Sequence, residues 1–209
     1  MRLRRRSRLG ITESGRCSRS PCSSLSMTID VCFCARLALS LSENTNKHPM
    51  DFVLEERVEK ARGLFRQGYN CSQSVFLAYS DLLGIDPTLA ATLSGPLGGG
   101  MGRLREVCGA VSGMSLIAGF LAPCPDPAER QAKAATYALV QRFAERFRAE
   151  NGAIVCRELL GLTCRKEEPQ PAERTAEYYK KRPCVELVAC AARIVGEHLQ
   201  QKPSVRSGE

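Results

Sequence analysis

The stretch VLEERVEKARGLFRQGYNCSQSVFLAYSDLLG, residues 53–84, decides the fold. Leu54, Val58, Ala61 and Phe65 step by four, three and four, which lays one apolar stripe along a helix whose other sides are charged. Gly68 supplies a stop. Asn70 then offers a short side-chain oxygen to the free N–H groups of a second helix, so it reads as an N-cap. Cys71, Val75, Ala78 and Leu82 share one face of that helix, and Gly84 closes it.

The same grammar continues downstream. Asp86-Pro87 marks a third start, with proline at the first helical position, where its missing N–H does no harm. Residues 95–102, GPLGGGMG, read as a flexible connector, and a fourth helix is expected from about Leu104 to Phe120. Asp126-Pro127-Ala128-Glu129 has capping-box spacing and opens a long fifth helix, with Ala132, Ala135, Leu139, Phe143 and Phe147 facing the core. Asn151-Gly152 ends it. A short helix around Cys156–Leu160 follows, then a polar loop rich in Glu, Pro and Lys. A final helix carries Val185, Val188, Ala192, Val195 and Leu199 on one side. Strand-like alternation is missing. The expectation is an all-α protein, a compact bundle of six or seven helices. No run of about 18 apolar residues occurs in this part, so it is not expected to be embedded in a membrane.

The 209 residues divide by composition. Residues 1–49 hold nine Lys or Arg against three Asp or Glu, nine serines and four of the eleven cysteines, and so supply most of the formal charge of +8. Targeting segment and disordered arm are both considered for this stretch. The preferred reading is a non-native upstream extension, with Met50 opening the four-cysteine helical domain of residues 50–209. Cys17, Cys22, Cys32, Cys34 and His48 are set aside with it. Residues 50–209 are close to neutral and the chain has no tryptophan, so nucleic acid is not an expected partner.

Within the domain, Cys71, Cys108, Cys156 and Cys184 each fall where a helix begins. Free N–H groups and the positive end of the helix dipole favour thiolate over thiol there. Cys108 is the best supported, because it follows the glycine run and has Arg103 and Arg105 nearby. Cys184 follows Lys180, Lys181, Arg182 and Pro183, and Cys156 adjoins Arg157. The plain alternative for each is a small hydrophobe in the core. Gly98, Gly99, Gly100 and Gly102 permit close backbone approach, and Gly109 and Gly113 leave a bare patch on the Cys108 helix. That patch suits either a tight helix crossing or a cofactor surface. Cys124, Cys164 and Cys190 read as packing residues.

Other chemistries fall away by pattern. The glycine run lacks a Gly-Lys-Ser/Thr ending and does not fit Gly-x-Gly-x-x-Gly spacing, so no nucleotide site is expected. Only His198 remains outside the leader, which argues against a Cys–His protease or a histidine-rich metal site. The domain has no Cys-x-x-Cys pair and no haem attachment motif.

Gly68-Tyr-Asn-Cys71-Ser-Gln-Ser, Gly98-Gly-Gly-Met-Gly102, Cys108-Gly-Ala-Val-Ser-Gly113 and Cys156-Arg-Glu-Leu-Leu-Gly161 together resemble the C-GCAxxG-C-C family of redox-active proteins. The likeness runs from about Val53 to Leu199 and puts the four family cysteines on Cys71, Cys108, Cys156 and Cys184. The resemblance implies a prokaryotic protein, often encoded near transporter genes, with a helical domain similar to the one that holds an iron–sulfur cluster in split-Soret cytochrome c. On that footing the expectation is a cytoplasmic electron-transfer protein with an iron–sulfur cluster, [2Fe–2S] preferred, on those four thiolates and an unidentified redox partner. A functional link to a transporter is a further implication. Two alternatives stand beside it. One is a thiol–disulfide enzyme or sensor, with Cys108 as the low-pKa attacking thiol and Cys71 resolving. The other is a zinc-stabilised helical module.

Overall fold

The computed structural model describes residues 52–163 and 166–201. The reading of residues 1–49, and that of Cys164, lie outside the described residues. Eight α-helices are present among these: α1 Leu54–Arg66, α2 Cys71–Tyr79, α3 Pro87–Ser94, α4 Gly109–Leu121, α5 Arg130–Asn151, α6 Cys156–Leu159, α7 Ala176–Lys181 and α8 Cys184–Gln200. Six have eight residues or more, and no strand occurs among the described residues, so the fold is all-α as the periodicity requires.

The α1 stripe lies against α8 and α2, with Val58, Ala61 and Phe65 buried. Helix α2 is buried along nearly its whole length and packs on α4. Helix α5 covers α4 through Leu139, Phe143 and Phe147, three of the five residues expected to face inward. Tyr79 shows how the layers are pinned: its ring is fully buried and its hydroxyl donates to the Ala192 carbonyl of α8 at 2.7 Å. The α2–α4 crossing is closed by Gly113. A Cβ there would lie 2.9 Å from both the Ser72 carbonyl oxygen and Val75 Cβ. Gly113 therefore serves the helix crossing.

Three helix boundaries differ from the sequence reading. Helix α4 begins at Gly109, not Leu104, because Met101, Arg103 and Arg105 sit at left-handed φ values of 62°, 66° and 59°, which no right-handed helix accommodates. Helix α5 begins at Arg130, because Asp126 closes a local turn by accepting from the Ala128 N–H at 2.8 Å instead of capping a helix. Helix α2 ends at Tyr79, and turns carry the chain on to Gly84. Residues 95–102, expected as a flexible connector, fold into a 3-10 turn at Gly95–Leu97 and further hydrogen-bonded turns, with Gly102 N donating to Pro96 O at 2.8 Å. Helix α7 was not anticipated. It opens on a Thr175 side chain that accepts from Tyr178 N.

The two glycines of α4 give a matched test. Gly113→Ala overpacks the α2 crossing and is expected to destabilise by about 1–3 kcal/mol. Gly119, with nothing near its absent Cβ, takes alanine at no cost or with a gain of up to about 1 kcal/mol. Urea denaturation of the two variants checks the difference; equal stabilities would contradict the packing described.

Candidate functional site

Each of the four cysteines is delivered by the beginning of a different helix. Cys71 is the first residue of α2, fixed by a reciprocal capping box: Gln73 N donates to Asn70 Oδ1 and Asn70 N donates to Gln73 Oε1, both at 3.0 Å. Cys156 and Cys184 are the first residues of α6 and α8. Cys108 lies one position outside its helix, as the N-cap of α4. All four thiols line one cavity of about 370 Å³.

Two local devices bring them together. Residues 105–108 run antiparallel to 154–157. Cys108 N donates to Ile154 O at 2.8 Å, Cys156 N to Glu106 O at 2.6 Å and Arg157 N to Arg105 O at 3.1 Å. This short pairing sets Cys108 and Cys156 beside one another. The second device is missing side chains. A Cβ on Gly109 would stand 3.1 Å from Cys71 Cβ, and one on Gly100 would stand 2.7 Å from Cys156 Cβ. A Cβ on Gly98 would strike the Asn70 side chain, whose Nδ2 donates to Gly95 O at 2.8 Å. Gly99 and Gly102 also line the cavity, and both have left-handed φ.

Among the described residues, the charged side chains lining the cavity are all arginines: Arg103, Arg105, Arg174 and Arg182. Arg105 is buried, and its Nη1 donates to Cys156 Sγ at 3.6 Å. Arg174 lies between the rings of Phe65 (4.4 Å) and Tyr178 (5.0 Å) and donates to the Phe65 and Tyr69 carbonyls. Glu167 pairs with both Arg103 and Arg105. Burial pushes the Glu167 carboxyl up, but the Arg105 hydrogen bond and the surrounding guanidinium charges outweigh it and hold it below the usual range.

The thiols are not electrostatically alike. Burial pushes Cys108 up to about 12, against the opposing backbone N–H groups of Ala110 and Val111. Burial raises Cys156 too, with Arg105 working in the other direction. Cys184 is lowered to about 7, first by the hydrogen bond it accepts from the Cys71 thiol and then, against burial, by Arg182, Arg105 and Arg174. Cys71, as the donor in that pair, is raised well above its ordinary value. The expectation that Cys108 is the low-pKa thiol, stabilised by Arg103 and Arg105, is corrected here. Arg105 reaches Cys156, and the acidic thiol is Cys184.

The other described cysteines, Cys124 and Cys190, and His198 stand outside the cavity. Cys124 points at the Asp126 and Glu129 carbonyls. Cys190 accepts from Asn151 Nδ2 and donates to Glu150. His198 stacks edge-on against Phe143. Sequence reasoning missed Arg174 and Glu167, because charged residues in a Pro-rich polar segment look like any solvated loop. Arg182 was visible beside Cys184, but its approach to the Tyr178 ring was not.

With this geometry in place, the comparison with protein families is informative. The model of the family described as "Putative redox-active protein (C_GCAxxG_C_C)" matches residues 69–198. The chain belongs to this family. The matched span of the C_GCAxxG_C_C domain takes in all four cavity cysteines, and redox activity is the function class that the family carries. No curated protein and no solved structure gives a match.

The thiol electrostatics can be measured on metal-free protein. Alkylation of Cys184 by iodoacetamide is expected to rise through about pH 7, because its thiolate is favoured in the fold, whereas an ordinary thiol titrates near 9.0. Cys108 stays protected over the same range. In Cys71→Ala, the Cys184 step moves up toward the ordinary thiol range. Peptide mapping by mass spectrometry reads each site, and a Cys108 that reacts before Cys184 would contradict the assignment.

Proposed function

We propose that this C_GCAxxG_C_C protein is a cytoplasmic electron-transfer protein whose Cys71, Cys108, Cys156 and Cys184 hold an iron–sulfur cluster, [2Fe–2S] preferred. The observation that carries this reading is that four thiols from four separate helix starts line a single cavity whose other charged lining, among the described residues, is arginine.

The residues present fit such a group. Iron–sulfur cores take thiolate ligands, and four are to hand without a competing histidine. The cavity volume of about 370 Å³ accommodates a polynuclear core. A single zinc ion asks its sulfurs to converge at about 2.3 Å. Among the described residues no three Cys, His, Asp or Glu side chains are drawn together in that way. When bound, the cluster supplies one-electron redox capacity. The chain's own residues do the rest. Phe65, Leu159, Leu160 and Leu187 give the cavity an apolar wall that limits water. The free N–H groups at the start of α4 favour charge on Cys108, its N-cap residue, and Arg105 donates to Cys156 sulfur. Such hydrogen bonds tune the potential of a thiolate-ligated centre.

We take the helical domain from residue 50 onward as the working unit, since the family match at residues 69–198 falls within it. Among the described residues no helix is long and apolar enough to cross a membrane. We take the electron-transfer partner to be another protein, and a transporter-linked pathway fits the gene setting that the family resemblance implies.

A second reading is a dithiol pair: Cys71 and Cys184 line the same cavity, and the lowering of Cys184 by Cys71 and the arginines suits Cys184 as the attacking thiol and Cys71 as the resolving one. This replaces the pairing of Cys108 with Cys71.

Serine replacements separate the two. In full-length protein made without oxygen, Cys71→Ser, Cys108→Ser, Cys156→Ser and Cys184→Ser are each expected to lower bound iron by about tenfold or more. Cys190→Ser and Cys124→Ser keep it. Iron lost in Cys190→Ser but retained in Cys108→Ser would overturn the assignment. Reversible disulfide formation between Cys71 and Cys184 with no iron in any sample would favour the dithiol reading.

A further inference from the structure

Arg105 is held more rigidly than a lining residue needs to be. It is a non-glycine residue at φ 59°, it is 3% exposed, and its backbone is tied at both ends. Its N–H donates to Gly99 O at 3.3 Å, and its carbonyl accepts from Arg157 N at 3.1 Å. Left-handed backbone at an ordinary side chain persists only where the surroundings over-determine it. The side chain is equally committed: Nη1 to Cys156 Sγ at 3.6 Å and Nη2 to Glu167 Oε2 at 2.5 Å. Its Nε–H is buried and finds no acceptor among the described residues. A buried guanidinium with an unmet donor, on the wall of a cavity, calls for an acceptor from whatever the cavity holds.

The charge balance points the same way. Four arginines line the cavity, and the carboxylate that pairs with them is Glu167, shared among Arg103, Arg105 and, at 3.9 Å, Arg182. Arg174 donates to main-chain carbonyls instead. Among the described residues, four guanidinium groups against one carboxylate leave a surplus of positive charge that a Cys184 thiolate offsets only in part.

We propose that the cavity is built for an occupant of net negative charge, with Arg105 as the positioning residue that sets the local positive potential and Glu167 as the counter-charge that holds Arg105 in place. This rests on the reading of the cavity as the redox site. It adds that the site favours the more negative of two redox states. Formally, a [2Fe–2S] core on four thiolates carries two negative charges, and three after one-electron reduction. The surplus of arginine charge is thus matched in the reduced form.

The test begins without any metal. In full-length metal-free protein, each cavity thiol is alkylated in parallel by iodoacetate, an anion, and by iodoacetamide, which is neutral. Taking the ratio of the two rates at one thiol removes its degree of ionisation and leaves the local potential. The ratio at Cys156 is expected to exceed that at Cys190, which lies outside the cavity. Arg105→Gln should lower it by about fivefold, and Glu167→Gln should raise it by a similar factor. Arg105→Lys keeps the charge and should keep most of the ratio. If Arg105→Gln fails to fold, the opposite shift in Glu167→Gln carries the test. Ratios at Cys156 that are equal to those at Cys190, or unmoved by Glu167→Gln, overturn the proposal.

Iron-loaded protein gives the second readout. Arg105→Gln should shift the reduction equilibrium about tenfold toward the oxidised form, which is about 59 mV for one electron. Iron retained together with unchanged ratios would leave the cluster reading standing and sink this one. Shifted ratios in a protein that takes up no iron would do the reverse.

Discussion

Cys108 and Cys156 lie far apart in the chain and are held side by side by main-chain pairing. The bonds from Cys108 N to Ile154 O and from Cys156 N to Glu106 O join the end of the glycine-rich turn to the segment after α5. The rest of the site depends on this pairing. It stops α4 from starting before Gly109, so that Cys108 sits at a helix N-cap. It fixes Arg105 beside Cys156. It also sets the direction in which the chain enters α6. Backbone donors in a nearly strand-free protein need such partners, and here they are supplied by the two segments that carry the thiols.

Around that pairing the protein places charge with some economy. The bundle core is apolar and ordinary, while the buried charge of Arg105 sits at the cavity, compensated by Glu167 and by sulfur. A buried guanidinium is tolerated only when paired and hydrogen-bonded. Glu167 belongs to the segment between α6 and α7, and Arg174 and Tyr178 after it line the cavity. The polar stretch that reads as a mere connector thus supplies one side of the cavity. Arg174 from this stretch joins Cys71, Arg182 and Arg105 in lowering Cys184, with Cys71 the largest influence.

Much of the fold was legible because helical periodicity and caps are local signals. Asn70, Asp86, Gly152 and the stripe of Leu54, Val58, Ala61 and Phe65 do in the structure what their spacing implies. The start of α4 was not legible. Left-handed backbone at Met101, Arg103 and Arg105 is imposed by distant partners, and these residue types carry no sign of it. The four cysteines were legible as helix starts and as a family pattern, but their electrostatic order was not. Which thiol is acidic depends on whether its neighbour is an arginine, a second thiol or apolar wall, and sequence proximity misplaced Arg105 onto Cys108. The glycines divide on the same ground. Gly98, Gly100, Gly109 and Gly113 are places where another group fills the space of a Cβ, and that neighbour is known only once the chain is folded.

The central claim is that four helix-start thiols form one iron–sulfur site. The most direct measurement is the visible spectrum of full-length protein purified without oxygen, together with its iron and acid-labile sulfide content. The account predicts absorbance between about 320 and 460 nm, with iron and sulfide in matched amounts. A colourless protein that takes up neither iron nor sulfide, even after reconstitution, would contradict it.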